Sequence, residues 1–96
     1  MKISFTKRAE RNYASIRNKI TEEWGEKVAE AFEQKIIDFL DILEEFPRIG
    51  IIEVADKHIF SFQVTRQTRV FYRIKQEQII ILALFDVRQN PTKKPR

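Results

Sequence analysis

The feature that most constrains this chain is an unbroken apolar run, Ile79–Phe85. Its length is that of one strand. Apolar residues at consecutive positions, with no alternation, suit a central strand buried on both faces. The run lies inside Thr68–Pro91, TRVFYRIKQEQIIILALFDVRQNP, which reads as a β-hairpin. One arm is Thr68–Lys75, the turn is Gln76-Glu77, and the return arm is Gln78–Val87. The return arm ends in a polar cluster, Asp86-Val87-Arg88-Gln89-Asn90-Pro91. A buried strand that delivers charge at its end is one way to place a functional group.

A strand of this kind needs neighbours and a cover. Lys2–Phe5 alternates apolar and polar residues and reads as a first strand. Thr6 is a fitting N-cap for a helix over Lys7–Trp24, with apolar positions Ala9, Tyr13, Ile16, Ile20 and Trp24. Gly25 can take the positive φ that ends a helix. A second helix follows over Glu26–Phe46, with Val28, Phe32, Ile36, Phe39, Leu43 and Phe46 in one stripe. Acidic residues line its outer face, and Pro47 stops it. The period then changes to that of strands at Ile51–Val54 and His58–Thr65, with a turn at Arg66-Gln67. The order β-α-α-β-β-β-β predicts an α+β fold. An N-terminal strand and an antiparallel helical hairpin pack on a mainly antiparallel sheet, as one domain over residues 1–96.

Composition narrows the function. The chain has no cysteine, so disulfides and thiolate metal sites are excluded. No apolar run approaches the ~20 residues of a membrane span. The opening MKISFTKRAE lacks the apolar core of a signal peptide, so a cytoplasmic location is expected. No glycine-rich phosphate loop and no metal-spaced cluster occurs, so neither cofactor nor metal is expected. The net charge of +4 conceals a split: residues 1–56 sum to −3 and residues 57–96 to +7. A basic half of this kind points to a polyanion or an acidic protein partner.

Hairpin parity predicts which residues meet. A two-residue turn at Gln76-Glu77 places Arg69 opposite Leu84 and Phe71 opposite Leu82, and opposed side chains share a face. A second two-residue turn at Arg66-Gln67 extends this arginine face to Phe60, Phe62, Val64, Arg69, Phe71, Arg73, Ile80, Leu82, Leu84, Asp86 and Arg88. The other face holds Ile59, Ser61, Val70, Tyr72, Ile74, Ile79, Ile81, Ala83 and Phe85. One face takes the helices; the other is left for the tail, a second subunit or a partner. Phe60, Phe62, Phe71, Arg69, Asp86 and Arg88 are the candidate partner-binding residues. Tyr72 reads as core with its hydroxyl near Ser61, Trp24 as packed at the hairpin turn, and His58 as a surface residue.

Four segments together resemble one family: KISFTKRAERN, the helix end LEEFPRIG, the strand FYRI, and IIILALFDVRQNP. The chain resembles the RelE/ParE superfamily, the toxins of type II toxin–antitoxin systems, also known as plasmid stabilisation proteins. The resemblance covers nearly the whole chain and implies a growth inhibitor neutralised by a cognate antitoxin. RelE-like members are metal-independent endoribonucleases that cut messenger RNA in the ribosome; ParE-like members inhibit DNA gyrase. Arg69 matches the arginine at the start of the FYRI strand, and Arg88 the arginine just after the last strand. In an endoribonuclease these two would be catalytic. The departures are the absence of lysines from the preceding strand and of a Tyr or His after Arg88. They favour a ParE-like inhibitor, with a homodimer or a toxin–antitoxin hetero-oligomer as the assemblies left open. The alternatives are a RelE-like endoribonuclease and an inactive toxin-like binding module.

Overall fold

Caps and breakers in the sequence place the helices. In the computed structural model, which describes residues 1–87, Thr6 accepts a hydrogen bond from the Ala9 amide (3.0 Å) and opens α1, Lys7–Trp24. Gly25, at φ 96°, joins α1 to α2, Glu26–Glu45. That φ suits glycine because it has no Cβ to clash. The second helix ends one residue earlier than the sequence pattern predicts. Phe46 precedes a proline, which disfavours the helical region, and it adopts φ −128°, ψ 72°. Arg17 ties the two helices together, bonding Glu26 at 3.0 Å and Glu33 at 3.2 Å.

The strands are β1 (Lys2–Phe5), β2 (Ile51–Val54), β3 (Ile59–Gln63), β4 (Thr68–Lys75) and β5 (Gln78–Asp86). They form one sheet in the order β1-β5-β4-β3-β2, antiparallel except for β1, which runs parallel to β5. The fold is thus the expected α+β arrangement, and the apolar run Ile79–Phe85 does lie inside the sheet. Strand β1 covers β5 only as far as Ile81. Beyond it the helix start takes over the free edge. The Thr6 amide and hydroxyl donate to the carbonyls of Ile81 and Leu82 (both 3.0 Å), and Asn12 Oδ1 accepts from the Leu84 amide (3.1 Å). The groups a strand edge leaves open are thereby satisfied.

The core lies between the helical hairpin and one face of the sheet. Ile16, Phe32, Phe39 and Leu43 meet Val70, Tyr72, Ile79 and Ile81, all nearly or fully buried. The loop after α2 is pinned from beneath. The Tyr72 hydroxyl, buried as expected in the core, donates to the Pro47 carbonyl (2.7 Å) and accepts from the Gly50 amide (3.0 Å). Gly50 fits because a Cβ there would lie 2.6 Å from the Ser61 carbonyl oxygen and 2.8 Å from the Tyr72 hydroxyl.

The register departs from the expected one at two places. The β3–β4 connection holds three residues, Thr65-Arg66-Gln67, and the Val64 amide bonds the Thr68 carbonyl (2.9 Å). Phe60 therefore pairs with Tyr72 and Phe62 with Val70, on the helix side. The β4–β5 turn at Gln76-Glu77 is the expected two-residue one, with both residues at positive φ (53° and 62°). However, a bulge lies between the pairs Tyr72–Ile81 and Phe71–Ala83, with Leu82 as the extra residue. Beyond the bulge every side chain of β5 changes face. Leu84 and Asp86 turn to the helices, and Arg69 faces Phe85 instead of Leu84.

Candidate functional site

The corrected register divides the expected site residues between two faces. Phe60 is buried, with its ring stacked on Tyr72 (5.3 Å between centroids), and Phe62 stacks on Phe39 of α2 (5.0 Å). Asp86 is buried opposite Thr68 on the same side. These three do not share a surface with Arg69. The face turned away from the helices carries Ile59, Ser61 and Gln63 from β3, Arg69, Phe71 and Arg73 from β4, and Ile80, Ala83 and Phe85 from β5. Of the expected site, Arg69 and Phe71 are brought together here. Arg88 lies outside the described residues.

Arg69 is held within the sheet. Nη1 donates to Ser61 Oγ at 2.7 Å and Nη2 to Gln63 Oε1 at 2.9 Å. Ser61, fully buried, donates its own hydroxyl hydrogen bond to Glu53 Oε2 on β2. Arginine, serine and carboxylate thus form one chain of hydrogen bonds across three strands. Such a chain fixes the guanidinium, since each partner restricts the next. Sequence reasoning missed Ser61, Gln63 and Glu53. The signal was present, because Ser61 and Gln63 are the polar members of an alternating strand, but only the loop length reveals which face they share.

Beside Arg69 is an aromatic pair. Phe71 and Phe85 meet edge to face at 5.4 Å, and the Arg8 guanidinium, reaching round from the first turn of α1, lies 5.9 Å from the centre of the Phe85 ring. A cation over a ring is favourable and leaves the cation available to solvent on its other side. Phe85 is 40% exposed. Further along β4, Arg73 donates through Nε to the Lys57 carbonyl (3.0 Å). It shares a shallow cavity of about 250 Å³ with Lys57, His58 and Lys75. His58 is exposed and takes a left-handed conformation (φ 55°, ψ 44°) that reverses the chain into β3. The face is therefore basic and aromatic. The β3 residues on it, Ile59, Ser61 and Gln63, include no lysine.

Tyr72 belongs to the other side. It is completely buried, and burial raises its hydroxyl pKa, against the lowering effect of the Gly50 amide. Its hydroxyl supports the loop from beneath and is closed to any ligand on the open face. Trp24, expected at the helical turn as a packed residue, is instead 61% exposed. Among the described residues no helix is long and apolar enough to cross a membrane.

A family model described as the ParE toxin of the type II toxin–antitoxin system, parDE, matches residues 3–91. No curated protein matches the sequence. The fold is similar to a solved structure from the chromosomal ParDE toxin–antitoxin system of P. aeruginosa. The two share 21% identity and a TM-score of 0.75, over 91% of this chain and 96% of that one. A YoeB/ParE toxin from Agrobacterium tumefaciens is similar at 16% identity and TM-score 0.60, over 90% and 98% of the two chains. A chain of the toxin–antitoxin complex RelBE2 from Mycobacterium tuberculosis is similar at 22% identity and TM-score 0.58, over 88% and 95%.

Proposed function

This chain belongs to the ParE toxin family of type II toxin–antitoxin systems, and on that premise we propose that it inhibits growth in the cytoplasm by docking on DNA gyrase. A cognate antitoxin neutralises it. The similar structures from a ParDE system and a RelBE2 complex support such a partner. The observation that carries the target is the open sheet face. It joins Arg69, Phe71, Phe85 and Arg8 in a basic, aromatic surface. Aromatic residues and arginine are the types that anchor protein interfaces. Arg69 is braced by neutral partners, Ser61 and Gln63, and neither is a proton-transfer group at neutral pH.

One observation favours a second reading, a ribosome-dependent endoribonuclease. Glu53 stands on the far side of Ser61 from Arg69, so a carboxylate and an arginine share one network. In such a reaction the carboxylate takes the 2′-hydroxyl proton, the 2′-oxygen bonds to phosphorus as the bond to the 5′-oxygen breaks, the guanidinium stabilises the charge on the phosphoryl oxygens, and the leaving 5′-oxygen takes a proton from water.

One experiment tests both readings. Induced expression should arrest growth, and the purified protein should block supercoiling by gyrase without cutting message during translation. Arg69→Ala should abolish the block. Message cleavage that disappears in Glu53→Gln and Arg69→Ala would replace the gyrase reading with the nuclease one. Absence of growth arrest would leave only a binding module.

A further inference from the structure

The open face of the sheet has two ends of different chemistry. Arg69, Phe71, Phe85 and Arg8 make an aromatic end. Arg73 sits four residues further along β4, about 14 Å away at the rise of an extended strand. Lys75, two residues beyond it, keeps to the same face by alternation. There the hairpin turn Gln76-Glu77 and the turn Ala55–Lys57 border the shallow cavity of about 250 Å³. Its polar walls are Asp56, Lys57, His58, Arg73, Lys75 and Gln76, and no phenylalanine, tyrosine or tryptophan lines it.

The cations of this cavity are held but not neutralised. Arg73 donates through Nε to the Lys57 carbonyl at 3.0 Å, and its two Nη groups have no partner among the described residues. That one bond orients the guanidinium and leaves the Nη pair for a bidentate contact, a geometry that suits phosphate. Among the described residues Lys57 and Lys75 form no ion pair, and neither does Asp56, the one carboxylate on the wall. Three cations therefore stand against one anion, before any charge on His58. Lysine is depleted from protein–protein interfaces, whereas Lys and Arg together are what neutralise phosphates. His58 and Gln76 both line the cavity at positive φ (55° and 53°), a conformation that side chains rarely adopt and that gathers at binding sites.

We propose that this cavity is a phosphate subsite, and that it takes a backbone phosphate of the duplex DNA held by gyrase. The proposal rests on the reading that gyrase is the target, and it names what the second end of the open face meets there. The aromatic end docks on the protein, and the cationic end lies on the DNA beside it. Gyrase works on duplex DNA, whose backbone is a dense and regular array of negative charge. The Nη pair of Arg73 takes two phosphoryl oxygens, and Lys57 and Lys75 add charge beside it. Such a contact positions the toxin on the duplex without reading its bases.

The single histidine supplies the readout, because His58 lines the cavity. A short DNA duplex is titrated into the full protein at constant pH, and the ring-proton resonances of His58 are followed by NMR. They should shift and saturate. Arg73→Ala and Lys75→Ala should each weaken duplex binding about three- to tenfold and lower the slope of log affinity against log salt by about one. Lys75 is exposed, so its variant keeps the fold. Asp56→Asn removes the opposing carboxylate and should tighten binding. Lys35→Ala, on α2 and outside the cavity, should bind as the parent does. In a gyrase assay Lys75→Ala should need more protein to block supercoiling, while its capture of gyrase without DNA is unchanged. A His58 shift that is absent, or that persists in both alanine variants, would overturn the proposal and leave the gyrase reading in place if the parent still blocks supercoiling. A shift with single-stranded RNA of equal length but not with the duplex would overturn it in favour of an RNA contact. A shift with inorganic phosphate alone would overturn it in favour of a free-ion site. A duplex-induced shift lost in the variants, from a protein that does not block supercoiling, would overturn the gyrase reading and support the phosphate subsite.

Discussion

The two faces of the sheet are built from the same two strands and do opposite work. On β4, Val70, Tyr72 and Ile74 point to the helices and are buried, while Arg69, Phe71 and Arg73 alternate with them and point away. The covered face is apolar, with the Tyr72 hydroxyl matched to Pro47 and Gly50. The open face is polar and basic, and its arginines are braced by side-chain and carbonyl acceptors. The core and the proposed contact surface thus sit one residue apart along a single strand. Substitutions at adjacent positions should therefore have unlike consequences.

The largest effect belongs to the covered side. Leu43 is fully buried within the core cluster. Leu43→Ala should cost about 2–5 kcal/mol, the lost transfer energy plus the cavity left behind. Urea unfolding of the variant checks this. A loss below about 1 kcal/mol would mean that the helices do not depend on the sheet face as described.

Next comes the loop that the covered face supports. Gly50→Ala places a Cβ against backbone at Ser61, which cannot rotate away. The expected cost is about 1–3 kcal/mol, as for other overpacked sites. The displacement of β3 should also disturb Ser61 and so loosen Arg69. The variant should therefore lose inhibition at temperatures where it is still folded. Full inhibition by a destabilised but folded Gly50→Ala protein would show that the two faces are uncoupled.

The elements of this fold are legible in the sequence, and the faces of its sheet are not. The elements were legible because their signals are local: Thr6 as a cap, Gly25 and Pro47 as breakers, and the two-residue turn at Gln76-Glu77. The faces depend on single-residue counts. Nothing in Thr65-Arg66-Gln67 distinguishes a three-residue connection from a two-residue one, because it contains no glycine or asparagine to mark a turn type. The bulge at Leu82 was hidden by the same apolar run that revealed the strand. A strand apolar on both faces has no alternation to lose when the register slips. The three-residue connection moves Phe60 and Phe62 away from Arg69, and the bulge moves Asp86. The resemblance to the toxin superfamily was unaffected, because it rests on segment order and not on facing.

A smaller effect should follow from the Tyr72 hydroxyl. Tyr72→Phe keeps the packing but leaves the Gly50 amide without its acceptor, at a cost of about 1–3 kcal/mol. Burial raises the folded-state pKa of this tyrosine. The unfolded chain therefore releases its proton first, near pH 10. Stability is fully present below that pH and declines as pH rises toward the folded value, because the unfolded state then binds fewer protons. Thermal melts between pH 8 and 11, a range set about the ordinary tyrosine value, should fall less steeply for Tyr72→Phe than for the parent. Parallel curves would assign the alkaline loss to other groups, such as Tyr13, whose pKa is also raised, chiefly by burial.

The smallest expected change in stability carries the largest change in function. Arg69→Ala removes a guanidinium from the open face, yet its partners keep acceptors and donors of their own. Ser61 still donates to Glu53, and the Gln63 amide still reaches the carbonyls of Thr65 and Arg66. The cost in stability should be about 1 kcal/mol or less, in the range of partly exposed polar contacts. Growth arrest should nevertheless be lost, while binding of the antitoxin is retained. Circular-dichroism melts, a growth assay and an antitoxin-binding titration would be read on the same variant. Loss of all three would mean that Arg69 is structural and that the open face is no separate site. Retention of all three would remove Arg69 from the contact surface and shift it to the remaining pair, Phe71 and Phe85, with Arg8 beside them.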